Sequence, residues 1–142
     1  AYWSVLLALT GFRRPLKLRL TLDGREVKLR TPLAFVAKSA YQLERFNLDG
    51  ADAIRDGHFA LFTAKGERSI DLVRTALKLA GGSAQNGSDF DLQIARDITI
   101  ETGHKRTLVA RDGEKAMMKT PIRVRLRDAP LRVMVPGARS TE

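Results

Sequence analysis

A chain of 142 residues with 44% hydrophobic and 29% charged side chains closes one hydrophobic core and is too short for two full domains. Its 25 Lys+Arg outnumber 16 Asp+Glu, a formal charge of +9, so it attracts anionic partners such as nucleic acid or acidic lipid. With no cysteine and only two histidines, His58 and His104, the sequence excludes a disulfide scaffold, a thiolate zinc site and a cysteine nucleophile, and it argues against a histidine-rich metal centre or a serine–histidine relay.

The first segment, Ala1–Phe12, is apolar with no basic residue ahead of it, so it does not read as a signal peptide, and it is too short to span a bilayer. A start inside such a segment reads as a piece of a longer or processed protein. Tyr2, Trp3, Val5, Leu6, Leu7 and Leu9, with Gly11 as a stop, predict a helix over Ala1–Thr10. Beyond Pro15 the period becomes two. Leu16, Leu18, Leu20 and Leu22 alternate with Lys17, Arg19 and Thr21, which predicts a half-buried strand. Asp23-Gly24 is hairpin chemistry, and Glu26–Arg30 is the return strand with Val27 and Leu29 inward.

Leu33–Ala37 reads as a core strand, Asn47–Arg55 as a turn region around Asp49-Gly50, and His58–Ala64 as a further strand. Ser69 is placed to cap a helix over Ile70–Ala80, whose apolar face holds Leu72, Val73, Ala76 and Leu77. Gly81-Gly82 reads as its stop rather than as a phosphate cradle, because the flanking strand and helix start are wrong for one. Ser83–Asp91 is a polar loop. Short strands follow around Leu92–Ile100, Arg106–Ala110, Ile122–Leu126 and Leu131–Val135, with turns near Gly103 and at Asp112-Gly113. The predicted fold is a mainly β, sandwich-like domain or open barrel of short antiparallel strands, with an N-terminal helix and one further helix at about 70–80.

Asp23-Gly24 precedes Thr31-Pro32 at the same spacing as Asp112-Gly113 precedes Thr120-Pro121. Reused hairpin chemistry is the better account of this echo, and an internal duplication is the alternative. In the first copy Arg25 follows the turn where Glu114 follows in the second, so turn geometry does not itself demand an acid there.

The positive charge lies towards the ends of the chain: nine Lys/Arg against four Asp/Glu in residues 1–50, six against seven in 51–100 and ten against five in 101–142. Lys17 and Arg19 share one strand face, as do Arg123, Arg125 and Arg127, because side chains at i and i+2 project together. If the two strands are neighbours they make one cationic sheet face; an ordinary solvated edge gives the same pattern. Neither strand carries an aromatic residue, so the stacking platforms of single-stranded nucleic-acid binders are missing and lipid headgroups are the better match. Asp112-Gly113-Glu114 exposes two carboxylates at a tight turn, able to accept a proton or help hold a cation, although Asp-Gly is a common structural turn. Asp56-Gly57 offers one carboxylate and nearby carbonyls to a hard cation, without the ligand density of a dedicated calcium loop.

Several segments in order resemble the C-terminal part of the diacylglycerol kinase-like lipid kinases, a group that includes bacterial lipid kinases and sphingosine kinases. They are Thr31-Pro32-Leu33-Ala34-Phe35-Val36, Ala40-Tyr41-Gln42-Leu43-Glu44, Ile54-Arg55-Asp56-Gly57-His58-Phe59-Ala60-Leu61, Ile98-Thr99-Ile100, Asp112-Gly113-Glu114 and Ala129-Pro130-Leu131-Arg132-Val133-Met134-Val135-Pro136. The resemblance implies that residues 1–142 form the lipid-substrate half of a two-domain kinase. The family's nucleotide-binding domain, with its Gly-Gly-Asp-Gly-Thr stretch, is absent from this chain, and the chain alone is then expected to be inactive.

Carried over by residue, the resemblance implies Glu114 as proton acceptor for the lipid hydroxyl, with Asp112 as a supporting acid. It also implies Mg²⁺ held by the Asp56 side chain and the backbone carbonyls of Ala53 and His58. ATP is the implied co-substrate, bound mainly by the other domain, and the implied setting is cytoplasmic and peripherally membrane-associated. The implied partners are a lipid substrate, an anionic membrane surface and the chain's own nucleotide-binding domain, with no nucleic acid expected and a homodimer allowed. Where the family often has Gly-Asn-Asn, this chain has Ala37-Lys38-Ser39, which puts any polar contact of those asparagines in question. The competing reading is a non-catalytic basic β module that binds anionic membrane or nucleic acid.

Overall fold

A computed structural model describes residues 15–65, 78, 89–111 and 114–126. The predicted helix over Ala1–Thr10 and the strand over Leu131–Val135 lie outside these residues, as does the helix over Ile70–Ala80 except for Lys78, which is helical.

Strands β1 (Leu16–Leu22) and β2 (Arg25–Thr31) form the predicted hairpin. Both turn residues have positive φ, 48° at Asp23 and 87° at Gly24, which is the type I′ geometry that suits the twist of a two-residue hairpin. The Asp23 carboxylate accepts the Asp97 N–H at 2.8 Å and the Arg96 N–H at 3.0 Å, and the Asp23 N–H donates to the Asp97 carbonyl at 3.0 Å. This anchors the turn to the start of β6 (Asp97–Thr102), which runs antiparallel to β1. Strand β9 (Ile122–Arg125) adds to the far side of β6, giving a four-stranded antiparallel sheet in the order β2-β1-β6-β9.

A second antiparallel sheet has the order β3-β4-β5, from Ala34–Ala37, Phe59–Ala64 and Phe90–Ala95. All six residues of β4 are buried, which explains why it is apolar at every position but Thr63. Phe59 and Leu61 pack with Leu18, Leu20, Leu22 and Ile98 of the first sheet, while Ala60, Phe62 and Ala64 face the opposite way. There Phe62 stacks on Phe35 at 4.7 Å between ring centroids, and Phe90 meets both rings edge-on.

Two short helices cover that outer face: α1 (Ala40–Arg45) and α2 (Ala51–Arg55), through Leu43 and Ile54, with Leu48 between them. Ser39 caps α1 by accepting the Gln42 N–H. Gly50 opens α2 at φ 95°, and a Cβ there would lie 3.3 Å from Ala60 Cβ, so glycine serves both conformation and packing. The architecture is a sandwich of two open sheets with a helical layer, not a closed barrel. The segment Asn47–Arg55, expected to be turns alone, instead holds α2. Helices of six and five residues are too short for a 3.6-residue period to show, so burial of Leu43 and Ile54 against the sheet selects them.

Candidate functional site

Strands β7 (Arg106–Arg111) and β8 (Glu114–Lys119) form a separate two-stranded hairpin between β6 and β9. Its base is fastened by hydroxyls: Thr102 and Thr120 each donate to the His104 carbonyl at 2.9 Å, and the Thr120 N–H donates to the Lys105 carbonyl at 3.1 Å. The Thr120–Pro121 peptide is cis. At the far end Arg111 pairs with Glu114, just as Leu22 pairs with Arg25 in the first hairpin, so two residues connect the strands in each. Glu114 is exposed there, free of the core. Asp112, the second expected acid, lies outside the described residues.

The Asp56 segment follows α2. Asp56 is exposed at the helix C-cap, with its N–H bonded to the Asp52 carbonyl at 2.9 Å, and Gly57 follows at φ 79°. The two carbonyls expected to help bind a cation are near it in sequence, but both already accept hydrogen bonds. Ala53 accepts the His58 N–H at 3.0 Å, and His58 accepts the Lys38 ammonium at 3.2 Å. Lys38 also lies 5.4 Å from the centroid of the Phe59 ring. Asp52, the other nearby carboxylate, pairs with Arg55 at 2.9 Å, and Arg55 also pairs with Glu44. The hydrogen bond that Arg55 donates to Glu44, then the one it donates to Asp52, raises the pKa of its guanidinium above the ordinary value. Among the described residues no three His, Asp or Glu side chains converge in a way that could hold a metal. Each of these carbonyls keeps a second lone pair, so the competitor for a divalent ion beside Asp56 is the Lys38 ammonium on the His58 carbonyl.

The expected cationic face is interrupted. Strands β1 and β9 belong to one sheet but are not neighbours, because β6 runs between them. Register sets Arg19 opposite Glu101 and Arg125 opposite Asp97. Arg19 lies 3.7 Å from both Glu101 and Glu26, and Arg125 lies 2.6 Å from Asp97. Lys17 and Arg123 have no ion-pair partner among the described residues, and Arg127 lies outside them. Strand order was the missing information: two strands more than a hundred residues apart gave no sign of what separates them.

Lys38, which stands where the family often has asparagine, reaches the Asp56 loop through the fold. The β3 to α1 link carries it onto the end of the α2 loop, a contact twenty positions away in the chain.

The family model described as the YegS C-terminal NAD kinase beta sandwich-like domain matches residues 2–135. No curated relative matches the chain. Among solved structures, one described as a "putative diacylglycerol kinase" from Bacillus anthracis str. Sterne is similar with a TM-score of 0.55 at 23% identity, over 83% of this chain and 41% of that one. Another described in the same words, from the same organism, gives a TM-score of 0.57 at 17% identity over 86% of this chain and 40% of that one. The likeness is one of fold, and this chain spans about two-fifths of the length of those proteins.

Proposed function

The chain belongs to the YegS C-terminal NAD kinase beta sandwich-like domain family, and from that membership we propose that it is the lipid-facing half of an ATP-dependent lipid kinase. The observation that carries the reading is the exposed Glu114 at the tip of a hairpin whose partner turn has an arginine in the same place. A lipid hydroxyl, of the diacylglycerol class, attacks the γ-phosphorus of ATP. The bond from that phosphorus to the bridging oxygen breaks, ADP departs, and the hydroxyl proton passes to the Glu114 carboxylate. Asp112, two positions earlier in the sequence, is the supporting acid.

In this reading the nucleotide is bound by a second, N-terminal domain, since the chain contains no Gly-Gly-Asp-Gly-Thr stretch. Mg²⁺ bound with the nucleotide supplies charge neutralisation. The chain alone does not turn over. The setting is the cytoplasmic face of an anionic membrane, with Arg19 and Arg125 held by acids and Lys17, Arg25, Arg30 and Arg123 without an ion-pair partner among the described residues.

The test is transfer of labelled γ-phosphate to diacylglycerol in mixed micelles by the longest product of the gene. Transfer that depends on Glu114 supports the reading. A protein that binds ATP and lipid yet transfers nothing, or one that binds no ATP, overturns it in favour of a non-catalytic basic module.

A further inference from the structure

On the four-stranded sheet Arg19 and Arg125 are held by Glu26, Glu101 and Asp97, whereas Lys17, Arg25, Arg30 and Arg123 have no ion-pair partner among the described residues but also no large exposed apolar side chain beside them. The β7–β8 hairpin differs. Leu108 stands directly opposite Met117, and these two large apolar side chains are 43% and 55% exposed. Directly paired residues in a hairpin share a face, and so do the pairs two positions along. The same face therefore carries Arg106 with Lys119 on one side of the apolar pair and Ala110 with Lys115 on the other. Lys105 precedes the hairpin, and Lys105, Arg106 and Lys119 line an open groove at its base together with Thr120. None of Lys105, Arg106, Lys115 and Lys119 has an ion-pair partner among the described residues.

We propose that this hairpin face docks on an anionic phospholipid bilayer, with Leu108 and Met117 entering the boundary of the acyl chains and Lys105, Arg106, Lys115 and Lys119 binding lipid phosphates. Charge complementarity selects this occupant. Lysine is depleted at protein–protein interfaces, where its ammonium loses water. At a bilayer the same side chain lays its methylene stem along the apolar layer and keeps its charge among headgroups. The pattern of two apolar anchors flanked by unpaired cations fits that boundary. Glu114 lies at the tip of the same hairpin on the alternate face, about 10 Å along the strand from Met117, within reach of the membrane surface. The inference rests on the proposed attraction to anionic membranes and names the surface responsible for it.

The chain has no cysteine, so Met117→Cys provides a single attachment point for an environment-sensitive fluorophore, and Thr99→Cys on the outer face of the four-stranded sheet provides the control. Full-length chain is mixed with vesicles of phosphatidylglycerol and phosphatidylcholine, or of phosphatidylcholine alone, and sedimentation is measured alongside fluorescence. The expected result is a blue shift at position 117 with the anionic vesicles only and none at position 99. Leu108→Ser/Met117→Ser should weaken binding at least tenfold, and Lys115→Gln/Lys119→Gln about tenfold to thirtyfold. Both double variants change exposed positions and should melt as the wild type does.

A label at 117 that stays water-like on vesicle-bound protein, with binding lost instead in Lys17→Gln/Arg123→Gln, overturns the hairpin assignment and leaves the membrane reading intact. Absence of any binding to anionic vesicles overturns both. A blue shift without vesicles that grows with protein concentration overturns the proposal by assigning the face to a second copy of the chain.

Discussion

Glu114 and Arg111 face each other across the end of the β7–β8 hairpin, in the register that Arg25 and Leu22 occupy at the end of β1–β2. Two hairpins with the same two-residue connection thus differ in what they present. The first turn is tied down by Asp23, whose carboxylate is bonded to the backbone of Arg96 and Asp97. The second ends in an exposed acid that structure alone does not require. In the proposed full-length kinase, Glu114→Gln should lower phosphoryl transfer to lipid by about a hundredfold or more while leaving ATP binding unchanged, the loss expected when a general base is removed. Steady-state transfer and nucleotide titration on the same preparation check this. Transfer at the wild-type rate would remove Glu114 from the mechanism.

The Asp56 loop gives a second expectation. With the Lys38 ammonium on the His58 carbonyl, the wild-type melting temperature should respond weakly to Mg²⁺ or Ca²⁺ at millimolar concentration. Lys38→Met should produce a larger response, and Lys38→Met/Asp56→Ala should abolish it. A strong wild-type response that disappears in Asp56→Ala would mean that a divalent ion displaces the lysine.

The aromatic cluster sets the stability of the helical side of the sandwich. Phe62 is fully buried between Phe35 and Phe90, so Phe62→Ala should destabilise the domain by about 3–5 kcal/mol, measured by urea unfolding. Tyr41→Ala, on the exposed side of α1, should stay within about 0.5 kcal/mol of wild type.

Thr31 joins the two sheets. It is fully buried at the end of β2, and its hydroxyl lies 2.8 Å from the Ala64 carbonyl at the end of β4 and 2.7 Å from that of Leu33. Thr31→Val keeps the shape but removes the donor, which should cost about 1–3 kcal/mol in urea unfolding, whereas Thr31→Ser should retain most of the bond.

Asp23→Ala should cost about 1–3 kcal/mol because the N–H groups of Arg96 and Asp97 lose their charged acceptor. Asp23→Asn keeps an acceptor oxygen and the tolerance for positive φ, so it should cost less. Equal losses in the two variants would show that charge, rather than the hydrogen bonds, holds the turn.

The sequence by itself determined most of the strands and their faces, though not β8, whose Glu114–Lys119 has no alternating pattern. Leucines at every second position of β1 went inward, the apolar run at Phe59–Ala64 became the central buried strand, and Asp23-Gly24 formed its hairpin, because side-chain alternation and turn chemistry act over a few residues. The position of Glu114 next to a turn was equally local. Only tertiary structure decided what lies beside what. Strand order put β6 and its acids between the two basic strands, and the β3 to α1 link brought Lys38 to the His58 carbonyl. Cross-strand register set Leu108 against Met117 on an exposed face. Short helices such as Ala51–Arg55 exist because a sheet needs covering, which no local period records. These contacts join residues far apart in the chain and depend on which packing buries the most apolar surface, so they become legible only when the whole fold is assembled.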